Sequence, residues 1–153
     1  MEKYFIYYSL TGNGDLVAHH LKKKGYTPIK VETIKPISRN VNFFRIMKYG
    51  GDAMFNKKMK IQEVPLSLKE DDLVVVGSPI WNDRLSTPIN SFLDQFNLNK
   101  KTTRFILYPA GKTTSKSFTQ IKKLGFEGDI VVIPYPKKYI EETDKLLEEF
   151  VSK

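Results

Sequence analysis

The sequence contains no cysteine in its 153 residues. Disulfides, cysteine-based zinc sites, iron–sulfur clusters and cysteine nucleophiles are therefore excluded together. Long apolar runs are also missing, since none approaches the roughly 18 residues that a membrane-spanning helix needs. The apolar run at residues 4–8 is too short for the hydrophobic region of a secretory signal peptide. These absences lead us to expect a cytoplasmic protein that does not act in a membrane.

Arginine is scarce, although the formal net charge is +8. Only four of the 25 basic residues are arginine, namely Arg39, Arg45, Arg84 and Arg104. Base reading and bidentate phosphate clamps favour arginine, so the charge does not indicate a nucleic-acid-binding protein. The lysines occur in small groups along the chain, which is typical of a solvated surface. This positive surface is also suited to steering an acidic protein partner, which is the kind of partner we expect.

Apolar residues make up 41% of the chain and aromatic residues 12%, enough for the core of a single domain spanning residues 1–153. Short apolar runs rich in β-branched and aromatic residues alternate with polar stretches of helical spacing. The apolar runs predict strands at residues 3–8, 29–34, 73–77, 104–108 and 130–133. The polar stretches predict helices at residues 15–24, 88–96, 114–125 and 139–151, with a further helix within residues 42–55.

Two of the predicted strands, at residues 73–76 and 130–133, are apolar on both faces, as strands covered by helices on both sides must be. The alternation of strands and helices predicts an α/β fold with an open parallel sheet and right-handed crossovers. In such sheets, ligands bind beyond the carboxyl ends of the strands. The loops after the first, third and fourth predicted strands therefore form the candidate site.

The first of these loops is rich in hydrogen-bond donors and opens directly into a helix. It consists of Ser9, Leu10, Thr11, Gly12, Asn13, Gly14 and Asp15. Glycines let backbone N–H groups approach an anion, hydroxyls donate hydrogen bonds, and the helix dipole favours negative charge. The pattern predicts an anion site without a basic residue of its own, and we expect the Asp15 carboxylate to compete with the anion.

Two other interpretations of this loop stay open. It is also typical of a tight turn with a capping hydroxyl. The spacing Gly12-x-Gly14-x-x-Val17, with Glu32 twenty residues after Gly12, partly matches a dinucleotide-binding fingerprint. The third position of that fingerprint is usually Gly or Ala, whereas here it is Val17.

The other two loops carry an aromatic ring and small residues. The loop after the third predicted strand contains Ser78, Pro79, Ile80, Trp81, Asn82 and Asp83. Trp81 is the only tryptophan in the chain, and its position favours stacking on a flat ring. The loop after the fourth predicted strand contains Ala110, Gly111, Lys112 and Thr113, where small residues let backbone N–H groups meet the edge of a ligand.

Together the three loops resemble those of flavodoxins. The resemblance lies in Ser9-x-Thr11-Gly12-Asn13, in the sequence Gly-Ser-Pro-Ile-Trp at residues 77–81, and in Pro-Ile-Asn-Ser-Phe-Leu at residues 88–93. It implies an open, doubly wound sheet of five parallel strands in the order 2-1-3-4-5, with FMN as the cofactor. By the resemblance, the first loop would hold the phosphate, Trp81 would stack on the isoalloxazine, and residues 110–113 would meet the pyrimidine edge. Flavodoxins usually have threonine where Gly14 stands.

The resemblance implies an electron carrier that shuttles one or two electrons between redox partner proteins, with no catalytic residue and no metal ligand of its own. Two alternatives stay open: an FMN-dependent NAD(P)H oxidoreductase acting on quinones or similar acceptors, and a binding module of the same fold with weakened FMN affinity. Flavodoxins are typically acidic, whereas this chain is basic, so we expect redox partners with an acidic docking surface. We expect the chain to act as a monomer.

Overall fold

The computed structural model describes residues 1–35, 37, 58–111 and 114–153. Within these ranges the elements are β1 (Lys3–Tyr7), α1 (Asn13–Lys23), β2 (Thr27–Lys30), β3 (Leu73–Trp81), β4 (Arg84–Leu85), α2 (Thr87–Gln95), β5 (Arg104–Pro109), α3 (Ser115–Lys123), β6 (Ile130–Val132) and α4 (Ile140–Val151). The helix predicted within residues 42–55 lies outside the described residues.

The strands form one sheet in the order β2-β1-β3-β5-β6, in which each neighbouring pair is parallel. These are the five predicted strands, so the predicted α/β fold and the order 2-1-3-4-5 are confirmed for the parallel part of the sheet. The sheet has a sixth strand, β4, which pairs antiparallel with β3 and was not predicted. Two residues are too few to show an alternating hydrophobic pattern, which is why the sequence did not indicate β4.

β3 is four residues longer than predicted, which changes the nature of the second candidate loop. Parallel pairing with β5 continues as far as Ile80, opposite Pro109, and antiparallel pairing with β4 places Trp81 opposite Arg84. Residues 78–81 therefore belong to a strand, and the connection consists only of Asn82 and Asp83. Both residues have positive φ, at 50° and 61°, as a tight two-residue hairpin of the type I′ kind requires.

The sheet lies between two layers of helices. On one face Val17 and Leu21 of α1 and Leu147 of α4 pack against Phe5 and Ile106. On the other face the buried side chains include Ile89 and Phe92 of α2, Ile121 of α3, and Ile6 and Phe105 of the sheet. Neighbouring residues of one strand point to opposite faces, which explains why the central strands are apolar throughout. Each fully buried Phe contributes roughly 1.5–3 kcal/mol of transfer free energy.

α1, α3 and α4 begin near the carboxyl edge of the sheet, since each follows a parallel strand, whereas α2 follows the antiparallel strand β4. α2 begins one residue earlier than predicted, with Ser86 at the N-cap and Pro88 in the first turn. The helices of the described residues have between 9 and 12 residues. In this part of the chain, no helix has the length and apolar character needed to cross a membrane.

Candidate functional site

The loop between β1 and α1 leaves backbone N–H groups open at the start of a helix. Gly12 precedes α1 with φ at 93°, a conformation that glycine adopts at little cost. Within the described ranges, the N–H groups of Thr11, Gly12 and Asn13 donate to no protein acceptor. Gly12 and Asn13 are partly exposed and Thr11 is exposed, so a ligand can reach these groups. The segment that leads into α1 therefore offers N–H donors, and the helix offers the dipole, that an anion requires.

The side chain of Ser9 holds this loop in place through hydrogen bonds. It is buried, and its Oγ accepts hydrogen bonds from the N–H groups of Gly14, at 3.1 Å, and Asp15, at 3.4 Å. Two of the donors at the helix N-terminus are thus satisfied within the protein. The hydroxyl proton of Ser9 is left to donate elsewhere, so its position is compatible with the predicted contact to an anion.

Gly14 makes room for a buried tyrosine. A Cβ atom at position 14 would lie 2.6 Å from the hydroxyl oxygen of Tyr108 and 3.0 Å from Cβ of Ser9. Tyr108 is 2% exposed, its hydroxyl donates to the carbonyl of Tyr8, and burial raises the pKa of that hydroxyl well above its ordinary value. The absence of threonine at position 14 therefore has a physical reason: the ring of Tyr108 occupies the space.

The Asp15 carboxylate has two partners that the sequence did not indicate. It is bound by the ammonium of Lys30, with Nζ at 2.9 Å from Oδ1, and by the hydroxyl of Tyr7 at 3.1 Å. Burial, and then the charge of Asp15, raise the pKa of the Tyr7 hydroxyl above its ordinary value. The carboxylate accepts no N–H group of the helix start, and Lys30 compensates its charge. These two partners would lower the negative charge that an anion at Thr11–Asn13 meets, and competition by Asp15 stays a prediction.

A basic residue that sequence analysis missed lies against the loop. Lys137, between β6 and α4, places its Nζ 3.0 Å from the carbonyl oxygen of Thr11. Its N–H donates to Oδ1 of Asn13 at 3.1 Å. A Cβ on Gly12 would lie 3.3 Å from the same Nζ, so the glycine admits this side chain. The connection after β6 could have been included from the sequence, because every parallel strand of the sheet ends at the same edge.

Trp81 lies on the neighbouring strand, at the same edge of the sheet. Its ring is partly buried and meets the ring of Tyr8 edge-on, with centroids 5.8 Å apart and planes at 88°. The hairpin after it is anchored to α3, because the Asp83 carboxylate accepts from the Ser115 hydroxyl and from the N–H of Lys116, at 3.2 and 3.3 Å. The Ser117 hydroxyl also donates to the Asp83 carbonyl, at 2.8 Å. The position of Trp81 is therefore fixed on both sides.

Among the other predicted residues of β3, Ser78 is fully buried. Its hydroxyl donates to the carbonyl of Pro79 at 2.7 Å and accepts from the N–H of Ser86 at 3.0 Å. The side chain of Ser78 thus ties β3 to the start of α2 inside the protein. Pro79 and Ile80 are partly buried, and Asn82 is exposed at the tip of the hairpin.

The third loop begins at the end of β5 and lies beside β6. Ala110 and Gly111 are exposed, and the carbonyl of Ala110 accepts a hydrogen bond from the hydroxyl of Tyr135. Tyr135 was not predicted as a site residue, and it stands in the same connection as Lys137. The predicted site residues Lys112 and Thr113 lie outside the described residues.

A basic groove lies beside the hairpin, between α2 and α3. It has a volume of about 390 Å³, and Lys58, Arg84, Lys116 and Lys123 contribute to its walls together with Asp94. The Asp94 carboxylate forms an ion pair with Lys58 at 2.7 Å. It therefore does not neutralise the charges of Arg84, Lys116 and Lys123. The polar wall includes Asn90 and Gln120, whose side chains are joined by a 2.8 Å hydrogen bond.

The chain matches no family model and no curated protein sequence. Solved structures do resemble it. A flavoprotein of Lactobacillus acidophilus NCFM in complex with FMN has 17% sequence identity and a TM-score of 0.67, covering 92% of this chain and 97% of that one. Putative flavoproteins of Bacteroides eggerthii DSM 20697 and Bacteroides uniformis ATCC 8492 have identities of 19% and 16% and TM-scores of 0.68 and 0.69. The match to the B. eggerthii protein covers 99% of this chain and 98% of that one, and the match to the B. uniformis protein covers 96% and 97%. The chain therefore has the flavodoxin-like α/β fold of these flavoproteins.

Proposed function

We propose that the protein binds FMN at the carboxyl edge of its sheet and carries electrons between redox partners. The observation that carries this proposal is the juxtaposition of a helix N-terminus with three open N–H groups, at Thr11, Gly12 and Asn13, and an aromatic ring, Trp81, on the neighbouring strand. The first feature suits a phosphate and the second a flat ring. The L. acidophilus flavoprotein, which has the same fold, forms a complex with FMN.

The donor set of the first loop fits a phosphate monoester. Open N–H groups, the hydroxyls of Ser9 and Thr11, and the nearby ammonium of Lys137 are all donors. The carboxylate of Asp15, at the end of the loop, is bound by Lys30. A dinucleotide fits less well. The strand order 3-2-1-4-5-6 that accompanies the dinucleotide fingerprint differs from the order of this sheet.

The end of β3 and the loop after β5 would bind the ring system. Trp81 would cover one face of the isoalloxazine, and Ala110 and Gly111 present exposed backbone for its edge. Bound FMN supplies the one- and two-electron redox chemistry, and the protein orients and tunes it. The hydrogen bonds of Asp83 to α3 would hold Trp81 in position during electron transfer.

The basic groove between α2 and α3 supports the proposal that the redox partner has an acidic docking surface. Arg84 pairs with Trp81 in the hairpin, so the groove begins directly beside the proposed ring site. Complementary charge increases the association rate of two proteins and is screened by salt. A docking position at this groove would bring a partner close to the exposed side of the cofactor.

Two measurements on the purified protein test this function. FMN should quench the emission of Trp81, the only tryptophan, at a stoichiometry of one. The FMN-loaded protein alone should oxidise NADPH no faster than free FMN does, but should pass electrons from an NADPH-dependent flavodoxin reductase to cytochrome c. Direct NADPH oxidation would favour the oxidoreductase instead. Unchanged Trp81 emission and an unchanged flavin spectrum at high micromolar FMN would exclude both functions and leave the binding module.

A further inference from the structure

We propose that Lys137 is a charged ligand of the FMN phosphate and makes the protein select FMN over flavins that lack a phosphate. This inference rests on the proposed function and adds a residue that the resemblance does not supply. The first loop has no basic residue of its own, so the charge would come from a segment more than 120 positions away in the sequence.

The fold explains why Lys137 reaches this loop. α1 and α4 pack on the same face of the sheet, through Val17, Leu21 and Leu147. Both helices begin at the carboxyl edge, so the segment before α4 passes beside the loop before α1. The hydrogen bond from the Lys137 N–H to Oδ1 of Asn13, at 3.1 Å, holds the two segments together.

The ammonium group of Lys137 lies beside the loop that carries the open N–H groups. Nζ of Lys137 lies 3.0 Å from the Thr11 carbonyl and 3.3 Å from the position that a Cβ on Gly12 would occupy. An ammonium has three N–H donors, and the Thr11 carbonyl is its one hydrogen-bond acceptor among the described residues. The other two donors have no protein acceptor there. By turning away from the Thr11 carbonyl, the exposed side chain would bring its ammonium to a phosphate held by the N–H groups of Thr11, Gly12 and Asn13.

Charge gives Lys137 a role that neutral donors cannot have. A phosphate monoester carries about −1.5 to −2 charges near neutral pH, and hydrogen bonds between charged partners are roughly twice as strong as neutral ones. Asp15 is compensated by Lys30, which leaves Lys137 as the cation in contact with this loop in the described part of the chain. Riboflavin has the same ring as FMN but no phosphate, so Lys137 should distinguish the two.

A purely structural role for Lys137 makes a different prediction. If the side chain only braced the Thr11 carbonyl, its loss would loosen the loop and weaken FMN and riboflavin to the same extent. Comparing the two ligands therefore separates a phosphate ligand from a brace.

The test measures dissociation constants for FMN and riboflavin by quenching of Trp81 emission. The matched control is Lys138→Met, which removes the same charge from the next residue, whose Nζ lies 5.2 Å from the centre of the Tyr139 ring. We expect Lys137→Met to weaken FMN by about tenfold, as one charge-assisted hydrogen bond implies, and riboflavin by less than about twofold. Lys138→Met should change either constant by less than about twofold, and Lys137→Arg should retain most of the FMN affinity.

Salt provides a second readout. The FMN affinity of the unaltered protein should fall as ionic strength rises, and Lys137→Met should make that dependence shallower. Equal loss for both flavins, or equal FMN affinity in Lys137→Met and Lys138→Met, would overturn the assignment of Lys137 while FMN binding itself stands. Failure of the unaltered protein to bind FMN would instead overturn the proposed function.

Discussion

Replacing Gly14 by alanine is expected to lower the free energy of unfolding by about 2 kcal/mol and to weaken FMN binding by about tenfold. The new Cβ would lie 2.6 Å from the Tyr108 hydroxyl oxygen and 3.0 Å from Cβ of Ser9. Both neighbours are buried, since Tyr108 is 2% exposed and Ser9 is 8% exposed, so a shift of either would disturb other packed groups. Movement of Ser9 would disturb the hydrogen bonds that organise the start of α1. Denaturant unfolding and FMN titration measure the two effects.

Two further variants show whether the clash is the cause. Gly111→Ala is the stability control, because a Cβ there meets no described atom within 4 Å, and we expect a change below about 0.5 kcal/mol. Tyr108→Phe removes the hydroxyl that Gly14→Ala would strike. The double variant Gly14→Ala with Tyr108→Phe should therefore be more stable than the sum of the single effects, by about 1 kcal/mol. Strict additivity would mean that the hydroxyl is not the obstacle.

Replacing Trp81 by alanine is expected to weaken FMN and riboflavin equally, by about 10- to 100-fold. Stacking of an aromatic side chain on a base-like ring contributes roughly 1–3 kcal/mol, and both flavins have the same ring. Tryptophan emission is lost in this variant, so the constants are read from the emission and absorbance of the flavin. Trp81→Phe, which keeps a flat ring, should recover much of the affinity.

The Trp81 and Lys137 variants should differ in their effect on the ratio of FMN to riboflavin affinity. Loss at Trp81 should leave the ratio of FMN to riboflavin affinity unchanged, whereas loss at Lys137 should lower it. Because Trp81 also contacts Tyr8, the unfolding free energy of Trp81→Ala should be measured alongside. An affinity for both flavins that is unaltered in a folded Trp81→Ala protein would remove Trp81 from the ring site.

Most of the fold could be predicted from the sequence because strand and helix patterns are local. The runs at residues 73–76 and 130–133 are apolar on both faces, and their alternation with stretches of helical spacing indicates strands inside a layered α/β protein. β4 was not predictable in this way, since the hairpin depends on Asn82 and Asp83 adopting positive φ and on a strand of two residues. Because β3 continues into this hairpin, Ser78 lies in a buried strand and not in the loop that the sequence predicts.

The candidate site was predictable where its residues are consecutive and not where it depends on distant contacts. The donor-rich segment at residues 9–14 is visible as a motif. The contact of Lys137 with Thr11 spans 126 positions and requires the packing of α1 beside α4. Likewise, the reason for Gly14 lies in Tyr108, on β5, and the charge of Asp15 is compensated by Lys30, on β2. A sequence motif shows which groups are present but not which charges meet them.

Amide chemical shifts from nuclear magnetic resonance test the location of the flavin most directly. We expect FMN to shift the amide resonances of Thr11, Gly12 and Asn13 strongly, because their N–H groups would donate to the phosphate. Riboflavin should leave these three amides nearly unchanged while still shifting the indole N–H of Trp81. If FMN instead left Thr11, Gly12 and Asn13 unperturbed and shifted residues of the basic groove between α2 and α3, the proposed phosphate site would be wrong.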